Sequence, residues 1–385
     1  YYELVVECIQ IIIDEAFLPF LVLLKHMSET TLRSSSCVKE KNNSVMDSAL
    51  ANLRENVNAL VLGYSIPRVD MKNLTALEFH RDYVSKNIPV ILTGCLHDWP
   101  ALKRWNLPYL SKKLGSQQVT VDITPDGRGD SVSEDGQRFV IPATRKMSVQ
   151  QFADILKDKK GNQVVYCQHQ NSNFSTEFNS IHEDVKGIGI AEQAFGCKPD
   201  AVNIWIGDQR SVSSLHRDPY ENMYCVIKGL KRFTLLPPTD GPYLAEQDFP
   251  CFKHTLKQQA VVNNNMKSTM LSPSPSPASV AEEKQSMTTK KKTKLVWDLE
   301  KEIDQNTQQQ LRVKWIPVDP DFPKRIKASA RCLALAHPDK INPIRCEVKA
   351  GEVLYLPSLW YHQVSQEGLT IAVNYWYDMH YGLTW

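Results

Sequence analysis

The feature that most limits what this chain can fold into is a succession of short apolar runs cut apart by Gly and Pro. Pro89–Thr93 is a compact apolar run followed by Trp99-Pro100. Gln118–Ile123 alternates and then meets a turn signal at Pro125-Asp126-Gly127. Val164–Gln168, Ala201–Ile206, Asn222–Ile227 and Lys231–Leu236 come next, and Arg345–Val348, Glu352–Leu356 and Leu369–Tyr377 complete the series. Many strands of this length with turn residues between them predict a barrel or a double-sheet jelly roll with helical decoration, not a parallel sheet of βαβ units. Helical patterns are few, the clearest being Asp47–Leu62 and a stretch near Pro108–Leu114.

Two segments stand outside this pattern. Residues 1–45 carry an apolar stretch, Ile9–Leu24, interrupted by Asp14, Glu15 and Pro19. Its uncharged run Ala16–Leu24 falls well short of the roughly 20 residues that span a bilayer, and no basic region precedes it. We read it as an extension outside the fold, with a packing helix and a membrane-associated segment as the alternatives. Thr255–Lys294 holds Asn263–Asn265, a Ser-Pro run at Ser272–Pro277 and the lysines 290–292 and 294. Such a composition buries too little apolar surface to offset ordering entropy, so a disordered insertion is expected there. The rest divides into a helical and mixed region, 46–115, packing on a barrel, 116–385.

The chain has 385 residues, with 45 Lys+Arg against 43 Asp+Glu. The basic excess sits in the 255–294 insertion, so the body offers no basic face, and neither nucleic acid nor a membrane is expected as a partner. The lysine run reads as part of a solvated loop, with a nuclear-import patch or a nucleic-acid contact as the alternatives. Of 9 cysteines, the closest pair is Cys332 and Cys346, and no C-x-x-C occurs. That argues against zinc knuckles and for reduced thiols. With no clear export signal, a cytoplasmic location with access to the nucleus is expected.

The chemistry concentrates at Leu215-His216-Arg217-Asp218. In a strand, residues i and i+2 share a face, so His216 and Asp218 can present an imidazole and a carboxylate to one point. His362, in Trp360-Tyr361-His362, is the candidate third ligand. Two His and one carboxylate leave three positions of an octahedron open, the arrangement that suits Fe(II) oxygenases. A bare H-x-D is a weak signal, and a structural histidine is its plain alternative. Lys231 strengthens the case, because a lysine pointing into a barrel needs an anion and a dicarboxylate cosubstrate supplies one. Ser213 offers a hydroxyl nearby, Asn222 keeps even spacing from His216, and Asn374 and Trp376 form another i, i+2 pair.

This set resembles the jumonji C (JmjC) 2-oxoglutarate oxygenases, cupin-like proteins built on a double-stranded β-helix. The matching motifs are Val202–Gly207, Ser213-Ser-Leu-His-Arg-Asp218, Glu221–Val226, Gly351–His362 and Ala372–Asp378, with further likeness at Asn87–Leu92, His97–Ala101, Pro108–Leu110, Thr124–Gly127 and Trp315–Pro317. The resemblance spans residues 46–381. It implies that His216, Asp218 and His362 bind Fe(II), and that Lys231, Ser213 and Tyr166 hold the distal carboxylate of 2-oxoglutarate. It also implies that Asn222, Asn374 and Trp376 line the cosubstrate or substrate pocket, and that O₂ is the second cosubstrate. The implied activity is C3-hydroxylation of a lysine in a translation-associated GTPase. A histone-tail peptidase, a demethylase-like protein and a catalytically silent scaffold remain as alternatives. Asp126, Asp130, Glu221 and Asp378 are the candidate carboxylates for a lysine-accepting pocket, and Cys225 reads as a core thiol. Family members dimerise through a C-terminal helical segment, so a homodimer is the oligomer to expect, although nothing after Trp376 matches that segment.

Overall fold

The computed structural model describes residues 48–57, 63, 65–158, 161, 163–260, 293–327 and 341–379. The chain forms two units, Tyr1–Val61 and Leu62–Trp385. In the first, residues 48–57 are helical, which is the described part of the helix expected at 47–62. The expected extension, 1–45, lies outside the described residues.

The second unit begins with strand β1 (Arg68–Asp70), helix α1 (Ala76–Phe79), β2 (Val90–Thr93), α2 (Pro100–Arg104) and α3 (Leu107–Leu114). Strands β3 (Gln118–Thr124), β4 (Arg128–Gly129), β5 (Ser131–Val132), β6 (Phe139–Ile141) and β7 (Ala143–Ser148) lead to α4 (Val149–Lys157), β8 (Val164–Tyr166), α5 (Asn173–Glu177) and α6 (Gly189–Phe195). The remainder is almost all strand: β9 (Ala201–Gly207), β10 (Val212–His216), β11 (Tyr220–Leu236), β12 (Gln247–Ala260), β13 (Thr293–Lys301), β14 (Arg312–Trp315), β15 (Ile344–Lys349), β16 (Val353–Leu356) and β17 (Tyr361–Asp378).

Two long strands make the spine. β11 and β17 pair antiparallel from Tyr220↔Asp378 to Leu236↔Tyr361. Each changes neighbours halfway. The first half of β11 pairs with β16 and its second half with β15. The end of β17 pairs with β9 and its beginning with β10. One pair of strands thereby serves both walls of a curled sheet, as the expected double-stranded β-helix requires. The chain can turn this corner because the β11 register shifts between Val226 and Leu230, and a bulge bends a strand and strengthens its twist. Lys228-Gly229-Leu230 is therefore a bulge in one continuous strand, where the sequence shows two runs, Asn222–Ile227 and Lys231–Leu236. Gly229 sits there at φ +79°, and a Cβ on it would lie 2.5 Å from the Leu369 carbonyl oxygen. Only glycine fits.

Other expectations are also sharpened. Residues 65–115 do more than pack on the barrel. The apolar run of β2 pairs with β16 and with β1, adding two strands to the main sheet. β3 is buried on both faces beyond Gln118 instead of alternating, because its polar side chains find partners inside. Thr120 Oγ1 donates to Glu177 at 2.5 Å and Thr144 Oγ1 to Asp122 at 3.2 Å. α4 shows how a helix is specified locally. Ser148 and Gln151 form a reciprocal capping box, and Val149, Phe152, Ala153 and Leu156 fall on one buried face. Burying Phe152 and Leu156 contributes about 2 kcal/mol each. The two ends of the expected disordered insertion, 255–294, are strand. Residues 255–260 pair with 293–298 in the β12–β13 ladder, where cross-strand hydrogen bonds satisfy a polar backbone without a strongly apolar sequence. Residues 261–292 lie outside the described residues. Among those described, no helix is long and apolar enough to cross a membrane.

Candidate active site

The centre is made by one cross-strand pair. His216 closes β10 and stands opposite His362 on β17, so their rings come within 4.2 Å between centroids. Asp218 lies past the end of β10, in the connection to β11. It reaches the same point from a loop and not from a shared strand face as expected. That loop is tied down where the Asp218 carbonyl accepts a hydrogen bond from Leu359 N at 2.9 Å. Asp218 Oδ2 stands 3.8 Å from His216 Nε2 and 3.7 Å from His362 Nε2. The three side chains form a group able to hold a metal ion.

Hydrogen bonds on the far side of each ring set its tautomer. His216 Nδ1 meets the Ser214 carbonyl at 2.6 Å and His362 Nδ1 the Trp360 carbonyl at 3.0 Å. A carbonyl only accepts, so each Nδ1 carries the proton and each Nε2 keeps its lone pair for a metal. Burial, reinforced by His216, pulls His362 down to about 4, which holds it in the neutral form that ligates. Trp315 stacks on His216 with the planes 8° apart, and its Nε1 donates to Ser214 Oγ at 3.2 Å.

Beside this group is a cavity with about 380 Å³ of open space. Of the residues expected there, Tyr166, Ser213, His216, Asp218, Asn222, His362 and Trp376 line it. Lys231 stands behind that lining, 1% exposed, and its Nζ donates to Tyr166 Oη at 2.8 Å. Ser213 is a further hydrogen-bonding neighbour of Tyr166. Lys231 has no carboxylate partner among the described residues, and burial lowers its ammonium to about 7. Close approach to Tyr166 also explains Gly207, where a Cβ would meet the tyrosine ring at 2.7 Å. Asn374 is a correction of degree. It is fully buried and does not line the cavity; it accepts from Trp205 Nε1 at 2.7 Å and donates to Asn222 Oδ1 at 3.3 Å. It positions Asn222 from behind.

Sequence reasoning missed Gln170, Trp205, Tyr224, Phe233 and Val364, which also line the cavity. The signal was there for three of them. Tyr224, Phe233 and Val364 each lie two residues beyond a chosen residue (Asn222, Lys231, His362) on the same strand, and strand period places them on the same face.

The four carboxylates proposed for a lysine pocket separate cleanly. Glu221 is taken by Tyr355 Oη at 2.7 Å and Ser358 Oγ at 2.9 Å. Asp126 accepts from Arg128 N in a turn, at 3.1 Å. Asp378 is exposed at the end of β17. Asp130 alone lines a second cavity, of about 800 Å³, together with His216 and Asp218. Cys225 is buried with its thiol pushed up by desolvation, a core residue as expected.

These residues fit a ferrous ion and a dicarboxylate. Two free imidazole nitrogens and a carboxylate converge, a buried ammonium lacks a counter-charge, and Trp376 Nε1 lines the cavity buried and without a partner. Comparison with known proteins agrees. A model of the cupin-like domain matches residues 76–383. JmjC domain-containing protein E of Dictyostelium discoideum is 37% identical over 81% of this chain and 84% of its own length. The human bifunctional peptidase and (3S)-lysyl hydroxylase JMJD7 is 35% identical, covering 84% of this chain and 87% of its own. The lysine-specific demethylase JMJ32 of Arabidopsis thaliana is 35% identical, over 88% and 89%.

Proposed function

The chain belongs to the cupin-like JmjC proteins, and on that premise we propose that it is an Fe(II)- and 2-oxoglutarate-dependent hydroxylase of lysine side chains in a protein substrate. The observation that carries this reading is the buried Lys231, without a carboxylate partner among the described residues, bonded to Tyr166 in the wall of the cavity that His216, Asp218 and His362 line. A desolvated cation behind a cavity lined by two imidazoles and a carboxylate suits a dicarboxylate and a metal held together.

When bound, the metal and 2-oxoglutarate supply an O₂-driven oxidation that yields succinate and CO₂ and converts a substrate C–H to C–OH. His216, Asp218 and His362 would hold the metal from one side and leave its other positions free. Lys231, Ser213 and Tyr166 would take the distal carboxylate, the ammonium supplying charge and the hydroxyls direction. Asn222 and Trp376 would form the wall, and the Trp205–Asn374–Asn222 chain of hydrogen bonds keeps that wall in place. The aromatic lining excludes water, so the target carbon meets the oxidant in a dry site. Lysine as the target is supported by the human relative's name, and a translation-associated GTPase in the cytoplasm, with nuclear access, is the substrate we propose.

The test is mass spectrometry of lysine-containing peptides and candidate GTPases incubated with Fe(II), ascorbate and O₂, with and without 2-oxoglutarate. The expected result is a gain of one oxygen on lysine with matching succinate, both abolished by Asp218→Ala. Cleavage of the chain without 2-oxoglutarate would favour a peptidase and sink this reading, and loss of a methyl group would favour a demethylase.

A further inference from the structure

The second cavity beside the metal ligands has a wall of a particular chemistry. Asp130, Phe139 and Trp315 line it together with His216 and Asp218. Phe139 and Trp315 pack at 4.7 Å between ring centroids, and the Trp315 ring is the one that stacks on His216. The Asp130 carboxylate is partly buried and has neither a hydrogen bond nor an ion pair among the described residues. Arg217, the cation in the same cavity, is already matched by Glu246 at 3.0 Å and lies over the Tyr361 ring at 5.2 Å. Asp122, buried nearby, adds a like charge.

We propose that Asp130, walled by Phe139 and Trp315, is the counter-ion that receives the protonated amine of the substrate lysine and so sets side-chain specificity. The inference rests on the hydroxylase reading, and it assigns the part of the site that reads the substrate instead of the part that oxidises it. A carboxylate with no cation partner among the described residues, in a cavity lined also by two aromatic rings, favours an ammonium ion by charge and by cation–π attraction. Burial and the neighbouring Asp122 carboxylate penalise the bare charge, and a bound ammonium relieves that cost. The residue is held at φ +51°, a conformation that asparagine also tolerates. Asp130→Asn therefore removes the charge while respecting the backbone.

The experiment titrates the full chain, loaded with Mn(II) and 2-oxoglutarate, with short peptides that differ only at a central lysine, norleucine or arginine, read by calorimetry. The lysine peptide is expected to bind about 10-fold or more tighter than norleucine. Asp130→Asn should erase that preference and Asp130→Glu should keep part of it, with melting temperatures confirming that both variants are folded. Equal binding of lysine and norleucine to the wild type, a preference for arginine, or a lysine preference that survives in Asp130→Asn would each overturn the assignment. A lysine preference that depends on Asp130, with no oxygen added to any lysine substrate under O₂ and Fe(II), would support the assignment and overturn the hydroxylase reading alone.

Discussion

At Lys231 the protein buries an ammonium whose hydrogen-bond acceptor among the described residues is Tyr166. That cost has a measurable sign. The folded value of about 7 lies below the ordinary 10.5, so between those two values the unfolded chain holds a proton that the folded chain lacks. Stability from this group therefore rises with pH through that window and is lowest below about pH 7. Tyr166, which accepts from the ammonium, and Tyr224, whose ring centroid lies 6.0 Å from it, are pushed up by burial and stay neutral across the window. Lys231→Met should remove this component, so the difference in melting temperature between variant and wild type should favour the variant at low pH and shrink as pH rises. The same variant should raise the KM for 2-oxoglutarate at least 30-fold, from the roughly 2 kcal/mol cost of breaking a buried charge pair. An unchanged KM would remove Lys231 from the cosubstrate site. Residue identity made Lys231, Ser213 and the three ligands legible in sequence, because an inward lysine and a two-histidine, one-carboxylate set each narrow the chemistry. Asp130 could be named in sequence only as one of four carboxylates. That it stands in a cavity, while Tyr355 and Ser358 take Glu221 and Asp378 is exposed at the end of β17, was decided by distant segments of the chain.

At the scale of elements, β11 and β17 carry the architecture, and the bulge at Gly229 lets β11 pass from one neighbour to the next. Gly229→Ala would place a Cβ 2.5 Å from the Leu369 carbonyl oxygen and 2.7 Å from Thr370 Oγ1 in a left-handed backbone. It should cost about 2–3 kcal/mol and lower the melting temperature by several degrees. Gly351→Ala is the control: φ is +90° there, but nothing lies within 4 Å of the added atom, so only the backbone strain remains and the fall should be about half as large. Equal effects would mean that the close approach to β17 does not constrain the corner. The apolar runs announced β2, β3, β8, β9, β11, β15, β16 and β17, and left out the short or polar strands. They missed that two neighbouring runs were one bent strand, since Lys228-Gly229-Leu230 satisfies the local rules of a turn equally well. They also missed the strand at 255–260, where the stabilising partner is the 293–298 segment and not the residues themselves.

For the whole molecule, the site exists only when the sheet is closed. His216 comes from β10, Asp218 from the loop after it, His362 from β17 and Lys231 from the second half of β11. A ligand that bridges these elements binds the native state and not the unfolded chain. Mn(II) with 2-oxoglutarate at about 100 times its dissociation constant should then stabilise the protein by about 2.7 kcal/mol. The shift should vanish with a chelator and in Asp218→Ala, and its persistence in that variant would place the metal elsewhere. The sequence by itself determined the class of fold, through strand-length apolar runs, and the donor atoms, through the residue types at 216, 218 and 362. Only the tertiary structure decided that His216 faces His362, that Asn374 supports the pocket without lining it, and that Asp130 has no partner among the described residues beside the candidate metal ligands. The reason is physical: alternation and turn chemistry act over a few residues, whereas cross-strand register and the desolvation of a charge depend on which distant segments pack together.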